Sequence, residues 1–281
     1  MESLYATPEW RQGDSIVLPP EEAHHALRVR RIRPGEEMVV VDGEGGWFRT
    51  VAEGAAVHER GAGGRGAPTL RVRVLEERHE VGEPPWRLTL AQGVGKGRKF
   101  ELVIEKATEL GAAAFIPLST DREIVPLRSP GALTRHERWR RIAVAAMKQC
   151  GRSRLPRIEM PQSMQEISAR FADFDLALVA WEREETTTIP AALRAAGIAP
   201  GAPSRILVLV GPEGGFTSNE IAEALHAGAQ TVTLGERRLR TETAGFVVAA
   251  LVGASLDASA SPAANLVGGI PGHRPHATQR G

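Results

Sequence analysis

Several features that mark particular classes of protein are scarce or missing in this sequence of 281 residues. A single cysteine, Cys150, excludes an internal disulfide framework and any zinc site built from several cysteines. No apolar run is long enough to cross a membrane, and the first residues lack the basic and apolar stretches of a signal peptide. We therefore expect a cytoplasmic protein with no membrane segment and no metal site.

A strong excess of one charge is also missing, because 35 Lys and Arg stand against 34 Asp and Glu. Any nucleic-acid surface must then come from local clustering. Residues 122–157 show such clustering, with only Glu123 and Glu137 as acids among ten basic residues: Arg122, Arg128, Arg135, Arg138, Arg140, Arg141, Lys148, Arg152, Arg154 and Arg157.

At about 100° per residue, Arg138, Arg141, Lys148 and Arg152 fall on one helical face, with Trp139, Ile142, Ala143 and Ala146 on another. This pattern predicts a helix that buries its apolar side and offers its cations to phosphates. A charge run is more often only a solvated face, but the excess of one sign favours polyanion binding. A second basic cluster precedes it in the chain: Arg28, Arg30, Arg31 and Arg33.

The pattern of the chain changes near residues 80–85, where Gly82, Pro84 and Pro85 interrupt a charged stretch. Residues 1–78 read as short strands and turns, whereas residues 79–257 alternate strands with helices, which is typical of a mostly parallel α/β sheet. Residues 258–281 lack periodicity and predict a disordered tail, and residues 61–66 predict a flexible loop.

Within the second unit, periodicity predicts five strands and three well-defined helices. One helix begins near Phe100 and ends at Gly111, and another begins with a capping box, Thr217 and Glu220, and ends near Gly228. The final helix, from Thr243 to about Leu256, is apolar almost all round and predicts burial on several sides, for example at a subunit interface. The strands span residues 88–92, 115–118, 176–181, 206–210 and 231–234.

Two glycine-rich loops are candidates for chemistry. Residues 93–99 fail both phosphate-binding templates, because Leu90, Gly97 and Arg98 stand where those templates need other residues. This pattern is typical of a mobile basic segment. If the loop has a function, we expect Lys96, Arg98 and Lys99 to contact RNA phosphates.

The second loop, residues 211–215, lies between the clearest buried strand and the capped helix, where α/β sheets bind ligands. Glu213 argues against an anionic ligand and favours a cofactor that carries positive charge. A tight strand-to-helix turn explains the glycines equally well. Residues 234–244 also join a strand to a helix and would form the opposite wall of one pocket.

At this pair of loops the sequence resembles a known family. Gly-Pro-Glu-Gly-Gly-Phe at 211–216, with Leu-Gly-x-Arg-x-Leu-Arg-x-Glu-Thr-Ala at 234–244, is similar to the RsmE family, the 16S rRNA uracil-N3 methyltransferases of the SPOUT superfamily. The resemblance extends to residues 105–111, to residues 149–152 and, in the first unit, to His25, Arg28, Val29, Arg31 and Pro34-Gly35.

The resemblance implies a PUA-like RNA-binding β-barrel domain followed by an α/β SPOUT domain, whose backbone forms a trefoil knot around S-adenosyl-L-methionine. It implies methylation of a specific uridine of 16S rRNA, uracil-1498, within the 30S subunit, by a homodimer. The cofactor shell would comprise Leu209, Gly211, Pro212, Glu213, Gly214, Gly215, Leu234, Gly235, Leu239, Arg240, Thr241 and Thr243.

Arg240 and Glu242 are the candidate catalytic residues. Arg240 would polarise a uracil carbonyl or hold the RNA, and Glu242 would orient Arg240; a salt bridge that fixes the loop is the alternative for both. The proton acceptor stays open among Glu213, Glu242 and water. The candidate RNA contacts are His25, Arg28, Arg31, Lys99, Arg122, Arg138, Arg141, Gln149 and Arg152.

One position departs from the family pattern, because many members carry an acid where this chain has Lys148, which puts an essential acidic role there in doubt. Cys150 predicts an inert core residue, since N3 methylation needs no cysteine nucleophile. Two alternatives stay open: another SPOUT RNA methyltransferase, acting on a ribose 2′-hydroxyl or another base, and a non-catalytic RNA-binding assembly factor.

Overall fold

The structure is a computed structural model that describes residues 2–57, 68–123, 127 and 131–257. The predicted flexible loop at 61–66, the predicted tail at 258–281 and Arg128 lie outside the described residues. No helix of the described part is long and apolar enough to cross a membrane.

The first 79 residues build a six-stranded sheet in the order β1-β4-β5-β6-β3-β2. Its long central hairpin, β5 with β6, carries two register shifts that bend the sheet around its own small core. β1 pairs parallel with β4, and the other pairs are antiparallel. The elements are β1 Leu4–Tyr5, β2 Arg11–Gln12, β3 Ser15–Leu18, helix α1 Pro20–His24, β4 Glu37–Val41, β5 Gly46–Val57 and β6 Pro68–His79.

A short π-helix, His25–Val29, follows α1 and leads into Arg31, whose φ of 56° lies in the left-handed region. A π-helix is rare, a left-handed φ is uncommon for residues other than glycine, and both often accompany functional positions. They belong to the segment that carries the basic cluster of the first unit.

The second sheet is parallel throughout, in the order β10-β8-β7-β12-β11-β13, with β9 beside β8. Its central strands are apolar on both faces, because helices cover each side. The strands are β7 Arg87–Gly93, β8 Ala114–Ser119, β9 Arg157–Ile158, β10 Gln162–Ser163, β11 Leu176–Ala180, β12 Arg205–Val210 and β13 Gln230–Val232. The helices are α2 Lys99–Glu109, α3 Ala132–Cys150, α4 Met164–Ser168, α5 Ile189–Ala195, α6 Ser218–His226 and α7 Thr241–Leu256.

The two faces of this sheet have separate cores. One contains residues of α2, α3, α5 and α7, and the other contains residues of α4 and α6. Trp86 and Asp257 tie the two ends of the domain together, since the indole Nε1 donates to the carboxylate at 2.9 Å.

Several local predictions are confirmed. Thr217 and Glu220 form the capping box of α6, and Gly111 and Gly228 take positive φ values of 92° and 101° just after their helices. The final helix begins at Thr241, two residues before the predicted start, and Ala250 is exposed whereas Phe246 and Val247 are half-buried.

Three ion pairs, which we call the polar seam, hold the end of α3 and the residues after it: Glu22 of the first unit pairs with Lys148, and Glu83 and Glu80, in the segment that connects β6 to β7, pair with Arg152 and Arg154. Backbone hydrogen bonds reinforce it, with the amide of Ser3 donating to the carbonyl of Lys148 at 3.1 Å and that of Leu155 to the carbonyl of Gly43 at 2.9 Å. The first unit is therefore held against the end of α3 and the segment that follows it.

Candidate active site and RNA-binding surface

The candidate site lies where β7, β12 and β13 reach their carboxyl ends. Gly93 closes β7 against the turn after β12 so tightly that a Cβ there would overlap the backbone of Pro212. Gly211 also lies close to Gly215, although less tightly, with 3.2 Å between its ideal Cβ position and the Gly215 Cα. The glycines let two strand ends touch, so the backbone itself forms the floor of the site.

Thr241 joins the two candidate loops. Its hydroxyl donates to the carbonyl of Gly211 at 2.7 Å and accepts from Gln92 Nε2 at 2.7 Å. Gln92 Nε2 also donates to the Thr241 carbonyl at 3.2 Å. The sequence analysis did not identify Gln92 as a site residue, although a polar residue at the end of the apolar strand β7 indicates a special role.

Glu213 pairs with a cation of the protein itself, so only part of its carboxylate is available to the positively charged ligand that the sequence led us to expect. Lys99, at the start of α2, donates to Glu213 Oε1 at 2.8 Å. Desolvation raises the pKa of Glu213, but the hydrogen bond and charge of Lys99 together with backbone donors outweigh it and leave the pKa below its usual value. The same hydrogen bond raises the pKa of Lys99.

Lys99 was also a predicted phosphate contact, and the structure assigns its ammonium to Glu213, with Glu242 3.9 Å away. Its charge is therefore already compensated by carboxylates. Arg122 similarly supports the loop, because its guanidinium donates to the carbonyl of Gly214 at 2.8 Å while the side chain stays exposed.

The opposite wall consists of the segment between β13 and α7. Leu234 and Leu239 are half-buried against the core, Gly235 takes a φ of 101°, and Thr243 is half-buried in the first turn of α7. The side chain of Leu209 is fully buried in the core beneath α4 and α6, so only its backbone is left to contact a cofactor.

Arg240 and Glu242 do not form the expected pair. In the described part of the chain, the exposed guanidinium of Arg240 makes neither a hydrogen bond nor an ion pair, so Glu242 does not orient it. The side chain of Glu242 is only 12% exposed, and its Oε2 is buried without a hydrogen bond, with the Lys99 ammonium 3.9 Å away. A carboxylate oxygen held in this way remains able to accept a proton or a hydrogen bond from a ligand.

The predicted RNA contacts divide into two groups. Arg28, Arg31, Arg141 and Gln149 are exposed, and His25 is half-buried near Glu2. Arg138 is exposed but pairs with Glu101 at 2.9 Å. These positions remain accessible to a polyanion.

Arg152 is a correction, because its side chain is only 4% exposed and faces Glu83, which is 1% exposed. It also donates to the carbonyls of Thr108 and Ala112 at 2.9 and 2.7 Å. Lys148 is buried too and bonds Glu22 at 2.7 Å. The predicted basic face of α3 is thus exposed in its first half only, and the structure gives Lys148 a structural partner.

Cys150 lies at the end of α3, and burial is the main cause that raises the pKa of its thiol. The segment after it leads to β9, which pairs with the beginning of β8, so Cys150 lies toward the amino ends of the strands. The candidate site is at their carboxyl ends, and this placement fits the predicted inert role.

Comparison with known proteins agrees with this geometry. Residues 82–253 match the model of an RNA methyltransferase domain, and residues 18–52 match an RNA methyltransferase PUA domain. The chain is 36% identical over 258 residues to ribosomal RNA small subunit methyltransferase E of Mycobacterium bovis, covering 89% of this chain and 91% of that protein. It is 34% identical over 233 residues to the enzyme of that name from Bacillus subtilis, covering 83% and 87%.

The chain belongs to the RsmE family of RNA methyltransferases. Its fold is accordingly the α/β, trefoil-knotted SPOUT type with an N-terminal PUA-like β domain.

Two solved structures extend the comparison. The Neisseria gonorrhoeae ribosomal RNA small subunit methyltransferase E bound to S-adenosyl methionine superposes with a TM-score of 0.75 at 27% identity, covering 91% of this chain and 98% of that one. A Legionella pneumophila putative methyltransferase, solved with bound cofactor SAM, gives 0.74 at 28% identity, covering 90% and 97%.

Proposed function

We propose that this protein transfers the methyl group of S-adenosyl-L-methionine to N3 of a specific uridine of 16S rRNA, uracil-1498, within the 30S subunit. The observation that carries the proposal is the glycine-lined junction of Gly93, Pro212 and Thr241 at the carboxyl ends of the sheet. Family membership supplies the reaction class, and the surrounding cations supply the substrate class.

The residues at this junction fit the cofactor. The backbone of 211–215 and of 234–241 offers amides and carbonyls in two facing loops, and Leu234 and Leu239 offer apolar surface. Bound there, S-adenosyl-L-methionine supplies a methyl group that its sulfonium already activates. The protein's own tasks are then to align the uracil and to accept its N3 proton.

Glu242 is the proton acceptor that the geometry favours. Glu213 is bound to Lys99 and has a lowered pKa, so it is a weak base. Glu242 lies in the first turn of α7, and its Oε2, 3.9 Å from the Lys99 ammonium, has no hydrogen-bond partner in the described part of the chain. Arg240, exposed at the mouth of the site and without a partner there, would hold the uracil carbonyl or a neighbouring phosphate.

The surface around the site suits RNA. Lys96 and Arg98 follow β7, and Arg237, Arg238 and Arg240 follow β13, all of them exposed. Arg28 and Arg31 form a second exposed basic cluster, on the PUA-like domain. Two basic surfaces on two domains fit a large folded RNA, from which the target base would be unstacked.

We also propose a cytoplasmic homodimer. The half-buried apolar side chains of α7, Phe246, Val247 and Leu251, support a second subunit that packs on this helix. Light scattering after size-exclusion chromatography measures the mass directly, and a monomer at micromolar concentration would contradict this part of the proposal.

The deciding experiment is methyl transfer from labelled S-adenosyl-L-methionine to 30S subunits and, in parallel, to naked 16S rRNA, followed by mass spectrometry of the modified nucleoside. We expect 3-methyluridine on 30S subunits and a loss of at least tenfold in kcat/KM for Arg240→Ala, a loss of about 1.4 kcal/mol of transition-state stabilisation. A 2′-O-methylated nucleoside would establish a different SPOUT activity, and no calorimetric binding of millimolar cofactor would establish a non-catalytic assembly factor.

A further inference from the structure

We propose that Gln92 is a positioning residue that sets the orientation of the Gly211–Pro212 peptide, and through it the cofactor loop, by way of the Thr241 hydroxyl. The proposal rests on the proposed function, because the loop it sets is the one expected to hold S-adenosyl-L-methionine. Gln92 lies outside the two candidate loops, residues 211–215 and 234–244.

The hydrogen bonds form a relay with a defined direction. Gln92 Nε2 donates to Thr241 Oγ1 at 2.7 Å, and Thr241 Oγ1 donates to the Gly211 carbonyl at 2.7 Å. Because the hydroxyl has only one proton, an acceptor in place of the Gln92 amide donor would compete with the Gly211 carbonyl for that proton, whereas a donor leaves it to Gly211. The amide of Gln92 thereby decides which way the hydroxyl of Thr241 points.

The position of Gln92 indicates that this relay is not incidental. Gln92 is 1% exposed and follows four buried residues of β7, where an apolar side chain would avoid the cost of burying an amide. Its Oε1 has no hydrogen-bond partner in the described part of the chain. The fold thus tolerates a half-satisfied buried amide at the strand end that contacts the cofactor loop.

Gly245 in α7 provides the space for this amide. A Cβ at Gly245 would lie 2.7 Å from Gln92 Oε1 and 3.1 Å from a methyl of Val103. Glycine in the middle of a helix costs up to about 1 kcal/mol relative to alanine, so the Gly245 position gives up helix stability to accommodate Gln92.

The Gly211 carbonyl is the point at which the relay acts on the site. Pro212 follows it and has no amide hydrogen, so the 211–212 peptide has only its carbonyl to anchor it. Without the Thr241 bond, the Gly211 carbonyl loses its side-chain anchor, and the backbone groups of residues 211–215 are held in their orientation toward the ligand by packing alone.

The test compares Gln92→Glu and Thr241→Val with Thr241→Ser, measuring the Kd for S-adenosyl-L-methionine by calorimetry, the KM for 30S subunits, and thermal stability. Glu at position 92 has nearly the size of Gln, but its carboxylate only accepts hydrogen bonds, so it would draw the Thr241 hydroxyl proton away from Gly211. We expect both variants to raise the cofactor Kd about tenfold with the KM for 30S subunits unchanged, and Thr241→Ser to retain the affinity of the wild type.

Thr108→Val is the matched control, because Thr108 is a buried threonine whose hydroxyl bonds the Ile104 carbonyl at 2.6 Å near the far end of α2. It is expected to lower the melting temperature without changing the cofactor Kd. If Gln92→Glu and Thr241→Val lower only the melting temperature, the positioning role is wrong although the proposed function stands. If the wild-type protein itself binds no cofactor, the proposed function fails instead.

Discussion

The positively charged side chains of this protein fall into two sets that the sequence does not distinguish but the structure does. Lys148 and Arg152, in the polar seam, are buried and bonded to carboxylates, whereas Arg141 and Arg240 are exposed and have no ion pair in the described part of the chain. The difference shows that a run of positive charge does not identify an RNA surface by itself. Burial and the presence of a carboxylate partner decide which cations hold the fold and which remain available to phosphates.

The largest effect is expected at Arg152. Replacing it in Arg152→Met leaves Glu83 buried without its partner, which costs about 3–5 kcal/mol. Urea unfolding measures the loss, and the RNA affinity of the protein that remains folded is expected not to change. A stable Arg152→Met protein with weakened RNA binding would place Arg152 among the RNA contacts after all.

A smaller loss is expected at the other buried pair. Lys148→Met removes a charged hydrogen bond to Glu22 that links the PUA-like domain to α3, and it is expected to cost about 1.5–3 kcal/mol of unfolding free energy. Exchanging the two charges, Lys148→Glu with Glu22→Lys, is expected to recover part of the loss.

The coupling free energy between positions 148 and 22, from the single variants and the double variant, shows whether Lys148 stabilises the fold through Glu22. A double variant no more stable than the sum of its single variants would show that Lys148 acts in some way other than through Glu22.

The exposed set is tested through affinity. Arg141→Ala is expected to weaken RNA binding severalfold and to lower the slope of log affinity against log salt by about one, while the unfolding free energy changes by less than about 0.5 kcal/mol. Arg194→Ala removes an exposed arginine of α5 and serves as the control. Equal effects of the two substitutions would mean that α3 has no special part in binding.

The smallest effect concerns Glu184, a carboxylate that neutral hydrogen-bond donors stabilise. Hydrogen bonds from the Thr231 hydroxyl first, then from the amides of Thr187 and Thr186 and the Thr186 hydroxyl, lower the pKa of Glu184 from 4.5 to about 2. Because the folded pKa is the lower one, this stabilisation is complete above pH 4.5 and is lost as the pH falls toward about 2.

Glu184→Gln is therefore expected to reduce stability modestly at neutral pH and to flatten the decline between those two pH values. The exposed neighbour provides the control, since Glu185→Gln should leave the acid profile of the wild type intact. An unchanged profile in Glu184→Gln would show that these bonds contribute nothing to folding.

Local sequence signals predicted much of the α/β domain. The capping box of α6 and the buried strand β12 involve residues a few positions apart, and the structure has both. The two glycine-rich loops were recognisable for the same reason, and the structure brings them together.

Contacts between residues far apart in the sequence could not be predicted in this way. Arg152 was predicted to contact RNA, but it pairs with Glu83, 69 positions away in the sequence. Gln92 likewise bonds Thr241, 149 positions away. Lys99 could not be assigned to Glu213 either, because 114 residues separate them. A pattern along the chain contains no information about which distant element will face a given side chain.

The bond between Gln92 and Thr241 also has a consequence for the order of events during synthesis. Residues of β7 leave the ribosome well before those of α7, and the floor of the site is incomplete until α7 has taken its place beside β7 and β12. Contacts of such long sequence separation form late in folding. If the proposed role of this bond is right, cofactor affinity develops only once the chain is complete through α7.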